Sequence, residues 1–299
     1  MSAGRTASKQ DNTAAPAQTD GIRTVVVRQI RRDPLAAVGG ALVLCLVLLA
    51  LFSPALAPHD PLRPTIETFQ APSWVHLFGT DQFGRDTFSR VLFAFRLDFF
   101  IAIAAVAAAA GMGVAIGGAA GFVGGWFDDI FMRVIDIVQS FPMLILAMAL
   151  VMFLGVGLLN VILVTAIVNV PIFARLARSD IQSKKQLEYI DAARCSGASG
   201  LRIFAVHLLP NILGPILVQA TLSLAWAVLN VAALSFLGIG INPPTPELGV
   251  MVAEGAKHLI AGAWWLSVFP GIALAATVFA FTLLGDALQD HLDPRRRAT

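Results

Sequence analysis

Residues that could carry out chemistry are few in this chain, and the familiar catalytic spacings are missing from it. The sequence contains no His-Glu-x-x-His, no Gly-x-Ser-x-Gly and no phosphate loop ending in Gly-Lys-Ser/Thr. Its five histidines are scattered without the spacing of a metal site, and we interpret all five as structural. We therefore predict neither an enzyme nor a chain that itself binds a cofactor or a metal.

The most informative residue spacing lies in one polar segment, Ser179 to Asn211. Residues 181–194 suit a helix, and Gly197 can adopt a positive φ at no steric cost, which a sharp turn requires. Ser199 can cap a second helix, and Pro210 suits the first turn of the apolar segment that follows. We predict a stiff elbow of helix, tight turn and helix that can transmit force. A surface hairpin without a partner is the alternative.

The elements that must hold this elbow are strongly apolar. The 299 residues are 57% hydrophobic and only 13% charged, with a mean hydropathy of +0.76, whereas soluble domains carry about 25% charged residues. This composition excludes a soluble, disordered or nucleic-acid-binding protein and predicts an all-α polytopic membrane protein. Six stretches are long enough to cross a bilayer: Leu35–Ala57, Phe99–Gly125, Ile137–Leu158, Val161–Ala177, Ile212–Ile241 and Trp265–Leu284.

The placement of charge predicts an orientation and a source of energy. With both termini in the cytoplasm, 16 of the 21 Lys and Arg residues lie inside, as the positive-inside rule favours. The interiors of the six stretches contain no Asp, Glu, Lys, Arg or His, which argues against proton coupling and voltage sensing. If the chain moves a solute uphill, the energy must therefore come from another subunit.

We divide the chain into four parts on this basis. A disordered cytoplasmic tail is expected over residues 1–30, and the first span with an outer loop over residues 31–98. A five-helix core that includes the 179–211 loop is expected over residues 99–290, and a basic cytoplasmic tail over residues 291–299.

The elbow resembles the EAA loop of ABC-importer permeases, whose pattern is Glu-Ala-Ala, three residues, Gly, nine residues, Ile, one residue, Leu-Pro. The matching positions here are Asp191, Ala192, Ala193, Gly197, His207, Leu209 and Pro210. Segments 76–90 (HLFGTDQFGRDTFSR) and 232–240 (AALSFLGIG) are similar to the C-type permease subunit of dipeptide/oligopeptide (and nickel) importers. This resemblance extends over residues 30–297.

The resemblance implies a type I ABC-importer permease fold in the bacterial inner membrane. It implies a second permease subunit, two ATPase subunits that hold ATP and Mg, an extracytoplasmic binding protein and a peptide substrate. In that family the elbow docks on the ATPase, so the expected coupling residues are Glu188, Asp191, Ala192, Ala193, Arg194, Gly197, Ala198, Leu209 and Pro210. Import of nickel, glutathione or oligosaccharide on the same scaffold, and an autonomous membrane channel, remain alternatives.

Two further sets of residues are candidates for contact with partners or substrate. Segment 84–98 is amphipathic and is expected to lie along the outer interface, where Asp86 and Arg90 pair at i,i+4 spacing. A docking surface and a mere cover for the bundle are equally open interpretations. The candidates for outer docking are Asp81, Arg85, Asp86 and Arg90, and those for the pathway are Trp226, Asn230 and Ser235.

Departures from the branch pattern leave the identity of the substrate open. Asp98 stands where Ser is common, Val231 where Glu is frequent and Thr282 where Asn is frequent. Glu247-Leu248 replaces Ser-Trp before Gly249. Most of these positions are expected near the outer end or along the pathway.

Overall fold

The computed structural model describes residues 34–292, and the regular structure in that range is helical. The predicted tail of residues 1–30 and residues 293–299 of the basic tail lie outside the described residues. The helices are α1 Pro34–Leu51, α2 Ser53–Leu56, α3 Thr87–Val123, α4 Gly125–Gln139, α5 Met143–Leu154, α6 Leu158–Lys184, α7 Glu188–Cys195, α8 Gly200–Arg202, α9 Leu209–Phe236, α10 Leu248–Ala256 and α11 Trp265–Leu292.

The helix lengths confirm an all-α chain built to cross a membrane several times. Within residues 34–292, four helices are long and apolar enough to span a bilayer: α3, α6, the continuous helix Gly200–Phe236 and α11. The bent pair of α4 and α5 is a fifth candidate, and α1 is a shorter apolar helix. Length and composition alone therefore support four or five of the six predicted spans.

The stretch predicted to span the membrane over residues 137–158 is not a single helix in the structure. The chain breaks after Gln139, and α4 and α5 meet at an angle of 94°. Pro142 explains the break, because its ring excludes a helical hydrogen bond and disfavours helical geometry in the residue before it. Ser140 stabilises the bend by donating its Oγ hydrogen to the carbonyl of Ile137 over 2.7 Å.

The predicted interfacial helix over residues 84–98 is also different in the structure. It forms the first turns of α3, a single 37-residue helix that at about 1.5 Å per residue is much longer than the ~30 Å hydrocarbon core of a bilayer. Val91, Leu92 and Phe95 are buried in the protein, so this segment packs against the chain rather than lying on lipid. Asp86 begins the helix by accepting the N–H of Ser89 over 2.8 Å.

The centre of the bundle is the long contact between α3 and α6. Glycines on α3 allow the two backbones to approach closely, because a side chain at Gly113 would meet Phe173 and one at Gly117 would meet Ala174. Phe173 and Ala174 are fully buried in the main hydrophobic core. The small residues of α3 therefore serve packing inside this chain.

Candidate functional site

The elbow, residues 188–210, has the sharp turn that its sequence predicts. Helix α7 ends at Cys195, and Gly197 follows two residues later with a φ of +80°, in the left-handed region that glycine adopts without strain. The Gly197 N–H donates to the Arg194 carbonyl over 2.9 Å, and the Ala198 N–H donates to the Ala193 carbonyl over 3.1 Å. These two bonds form a Schellman motif, which fixes the direction in which the chain leaves the helix. The Ser199 Oγ then accepts the Arg202 N–H, as a helix cap does.

The two helical arms of the elbow begin and end at residues other than those predicted. The first arm begins at Glu188 rather than at residue 181, because α6 continues to Lys184 and a short turn follows it. The second arm does not end at residue 209 but runs without a break from Gly200 to Phe236. Its backbone widens into a π-helical turn over Ile203–Leu208, just before Pro210, which cannot donate a helical hydrogen bond. One rod therefore joins the elbow to a membrane-spanning segment.

Helix α7 is held to the protein by its apolar side. Ile190 is completely buried, and Ala193 and Ala198 pack against the same core. Sequence reasoning did not single out Ile190, although its i,i+3 spacing to Ala193 marks the apolar side of this short helix. The residues predicted to couple are mostly exposed, including Glu188, Asp191, Ala192, Arg194 and Gly197.

The same long rod forms one wall of a cavity of about 570 Å³. Its lining combines apolar side chains with neutral polar ones: Val138, Gln139, Phe141, Met143, Leu146, Val168, Asn169, Ile172, Gln219, Leu222, Ser223 and Trp226. Trp226 is 61% exposed and lines this cavity, and Gln219 donates to the Ser223 Oγ over 3.3 Å. The described lining carries no charged side chain.

Of the three predicted pathway residues, only Trp226 lines this cavity. The Asn230 amide instead contacts the sulfur of Met143 at 3.1 Å. Ser235 is buried, and its Oγ accepts the backbone N–H of Ile241 over 3.0 Å, which stabilises the turn after α9. The polar residues Asn169, Gln219 and Ser223 were not among the predicted pathway residues, and the fold brings them to the cavity.

Comparison with known proteins identifies the family of this chain. Residues 113–298 match the family described as binding-protein-dependent transport system inner membrane component. The chain belongs to this permease family. Residues 24–72 also match the N-terminal transmembrane domain of oligopeptide transport permease C. The predicted family is therefore confirmed, and the protein is a transport subunit rather than an enzyme.

Relatives of the permease cover nearly all of its length. The dipeptide transport system permease protein DppC of Alkalihalophilus pseudofirmus is 41% identical over 91% of this chain and 89% of its own. The di/tripeptide transport system permease protein DppC of Pseudomonas aeruginosa is also 41% identical, over 87% and 88% of the two chains. The probable D,D-dipeptide transport system permease protein DdpC of Escherichia coli is 39% identical over 90% and 91%. The family and the apolar helices make the permease a multi-pass inner membrane protein.

A groove beside the elbow gives the permease a second polar surface. It has a volume of about 600 Å³ and is lined by Gly121, Gly124, Gln182, Lys185, Gln186, Asp191 and Arg194. Lys185 closes one side by donating its Nζ hydrogen to the Phe122 carbonyl over 2.5 Å. The groove therefore lies between the end of α3, the end of α6 and α7.

Two ion pairs connect α4, the first helix of the bent pair, to α6. Arg178 binds Asp128 through two hydrogen bonds of 2.5 and 2.6 Å, and Arg175 binds Asp136 over 2.6 Å. The first pair is bidentate, which is the strongest arrangement of these groups. Helix α6 leads into the elbow. These two ion pairs therefore connect α4 to the helix that supports the elbow.

At the opposite end of α3 from the elbow, the permease has a region that we call the cap, residues 57–98 and 242–258. All four outer docking candidates lie in the cap and are buried, so the structure gives them an internal role. The predicted pair of Asp86 with Arg90 is wrong. Arg90 donates to the carbonyls of Pro61 and Pro244, each over 3.2 Å, and lies 3.6 Å from Glu254. Asp86 caps α3 and bonds to a histidine instead.

Two departures from the branch pattern meet inside the cap. Glu247 is fully buried and caps α10 by accepting the N–H groups of Gly249 and Val250 over 2.9 and 2.7 Å. Burial raises the pKa of Glu247 above its ordinary value. The neighbouring Leu248 N–H donates to Asp98 over 3.3 Å. Asp98 and Glu247 therefore support the cap, and neither lines the 570 Å³ cavity.

Proposed function

We propose that this permease imports short peptides as one half of a heteromeric pathway. A second permease supplies the other half, two ATPase subunits hold ATP and Mg, and an extracytoplasmic binding protein delivers the substrate. The elbow and both termini lie in the cytoplasm. The names of the relatives support the substrate class, since three of them are described as dipeptide, di/tripeptide or D,D-dipeptide permeases.

One observation carries the coupling mechanism: the second arm of the elbow and the cavity wall belong to the same continuous helix, Gly200–Phe236. An ATPase that grips the exposed side of α7 moves a rigid bend, because the Schellman turn at Gly197 and the buried Ile190 resist deformation. The movement reaches Gln219 and Trp226 about 25 to 40 Å further along the rod, at about 1.5 Å per residue. Within the described chain, a short hydrogen-bonded turn at residues 196–199 connects α7 to this rod.

The chemistry of the cavity agrees with a short peptide. A volume of about 570 Å³ lies within the range of small-ligand pockets. Asn169 and Gln219 can hydrogen-bond to peptide groups, while Phe141 and Trp226 offer apolar surface to side chains. A lining without fixed charge allows release, because it does not hold one charged substrate tightly.

The orientation can be tested with the exposed thiol of Cys195 on α7. In a Cys45→Ser variant, Cys195 is the single cysteine of the chain. We expect a membrane-impermeant maleimide to label it in inside-out vesicles and not in right-side-out vesicles. Co-assembly with the ATPase subunits is expected to slow this labelling. Labelling only in right-side-out vesicles would contradict the cytoplasmic elbow.

Uptake into proteoliposomes tests the substrate and the energy source. The two permeases, the ATPases and the binding protein are reconstituted together, and uptake of a labelled dipeptide is measured with and without ATP. We expect uptake that requires both ATP and the binding protein. Uptake of nickel, glutathione or an oligosaccharide in place of peptides would reassign the substrate, and flux through this chain alone without ATP would indicate a channel.

A further inference from the structure

Three potential metal ligands meet in the cap, where the sequence shows no metal motif. His59, His76 and Asp86 each offer one ligand atom, and these atoms lie within 4.8 Å of one another. All three come from the single segment 57–86 between α2 and α3, in which Asp86 is the residue that caps α3. The gaps of 17 and 10 residues between them are not those of a sequence motif, so only the fold brings them together.

The distances are close to those of a coordinated ion. His76 Nδ1 lies 2.9 Å from Asp86 Oδ1, and His59 Nδ1 lies 3.9 Å from the same oxygen. Zinc bonds of about 2.0–2.2 Å in tetrahedral geometry place neighbouring ligand atoms roughly 3.3–3.5 Å apart. The two imidazole ligand atoms are the widest pair, at up to 4.8 Å, so a shift of about 0.7 Å on each side would bring the three atoms to the positions that a metal requires.

The surrounding groups hold the ligands in the way that metal sites require. Glu67 Oε2 lies 3.1 Å from His76 Nε2, which is the carboxylate–histidine arrangement that orients a ligating imidazole. The second oxygen of Asp86 accepts hydrogen bonds from the N–H and Oγ of Ser89 over 2.8 and 2.7 Å. The backbone N–H of His59 also donates to Ser89 Oγ over 3.2 Å.

The cluster is also accessible from one side. His76 and Asp86 are buried, whereas the side chain of His59 is 41% exposed. His59 lines an open groove of about 480 Å³. A hydrated ion can therefore reach the cluster past His59 and keep a water molecule as its fourth ligand.

From these observations we propose that His59, His76 and Asp86 form a binding site for a divalent transition-metal cation of the zinc type. Two imidazoles and one carboxylate make up an established zinc ligand set. Glu67 positions His76 without touching the ion. On binding, the hydrogen between His76 Nδ1 and Asp86 is released as a proton, and the ion joins the segment at residue 59 to the start of α3. The site does not depend on the transported substrate.

Cobalt titration of the full chain tests this site directly. The protein is purified in detergent without a histidine tag, stripped with a chelator and titrated with Co²⁺. We expect saturable binding of one equivalent with the visible absorption bands of a four-coordinate ion, and displacement of these bands by Zn²⁺. His59→Ala removes an accessible ligand and is expected to weaken Zn²⁺ affinity at least tenfold in calorimetry.

Two further variants make the result specific. His258→Ala removes another cap histidine, which contacts Gln82 at 3.0 Å, and is expected to bind Zn²⁺ as the unmodified chain does. Glu67→Gln changes only the exposed positioning carboxylate and is expected to lower affinity about tenfold, as loss of such a partner does. Absence of saturable binding to the unmodified chain, or equal affinity in His59→Ala, would overturn the proposal. Thermal unfolding of each variant verifies that it is folded.

Discussion

Two short-range pairs of aspartate and arginine show how differently the permease uses the same residue types. In the cap, Arg85 Nε lies 2.6 Å from Asp81, and their side chains are only 3% and 12% exposed. In the elbow, Arg194 lies 2.9 Å from Asp191, and their side chains are 45% and 64% exposed. The distances are similar, but water surrounds only the second pair.

The difference in burial implies a difference in role. A buried charge that loses its partner is strongly destabilising, whereas an exposed pair contributes about 0–1 kcal/mol. The cap therefore uses its charges to hold loops together, and Glu254 near Arg85 and Arg90 extends this network. The elbow leaves its charges free to meet a partner protein. Variants that remove a charge from the cap or from the elbow test this comparison.

The largest effect is expected from Arg85→Ala in the cap. This change leaves the buried Asp81 with only the more distant guanidinium of Arg90, at 3.8 Å, and we expect the free energy of unfolding to fall by about 3 kcal/mol. Titration with sodium dodecyl sulfate in mixed micelles measures this loss. Arg194→Ala is the matched control and is expected to change the free energy of unfolding by no more than about 0.5 kcal/mol. Equal losses in both variants would show that burial does not distinguish the two regions.

The next largest effect is expected from Gly197→Asp at the turn of the elbow. A Cβ at Gly197 would meet no atom of this chain within 4 Å, so the cost to folding is limited to about 1 kcal/mol of backbone strain. We expect ATP-dependent uptake in the reconstituted complex to fall at least tenfold, because the added group enters the surface on which the ATPase docks.

Gly197→Asn separates charge from bulk in this experiment. Asparagine tolerates the left-handed conformation and carries no charge. Loss of uptake in both variants indicates that volume at the turn blocks docking, and loss in the aspartate variant alone indicates charge. Uptake at the unmodified level in both would refute the role of the turn.

The sequence predicted the elbow well because its signals are local. A glycine with positive φ and a serine cap each depend on a few neighbouring residues, and both appear in the structure at Gly197 and Ser199. The continuous rod through Pro210 was missed, because a proline can end a helix or widen it, and only packing decides between the two.

The sequence predicted the cap poorly because its contacts are distant in the chain. The i,i+4 spacing of Asp86 and Arg90 predicted a pair, but Arg90 bonds to Pro244, 154 residues away. The approach of His59 to His76 could not be predicted either, since it depends on the folding of one long segment that has no periodic pattern. Burial of charged residues is set by tertiary packing, which the residue types do not reveal.

The smallest effect on stability is expected from Asp191→Asn, with Asp81→Asn as its counterpart in the cap. Both changes remove one charge with almost no change in shape. We expect Asp191→Asn to alter the free energy of unfolding by less than about 0.5 kcal/mol, because water replaces the partner of Arg194. Asp81→Asn should lower the free energy of unfolding by more, since Arg85 has no solvent to replace the carboxylate.

Binding of the ATPase subunits, measured by calorimetry in nanodiscs, should show the reverse order, with weaker association only for Asp191→Asn. If Asp81→Asn weakens that association more than Asp191→Asn does, the elbow is not the surface that the ATPase reads.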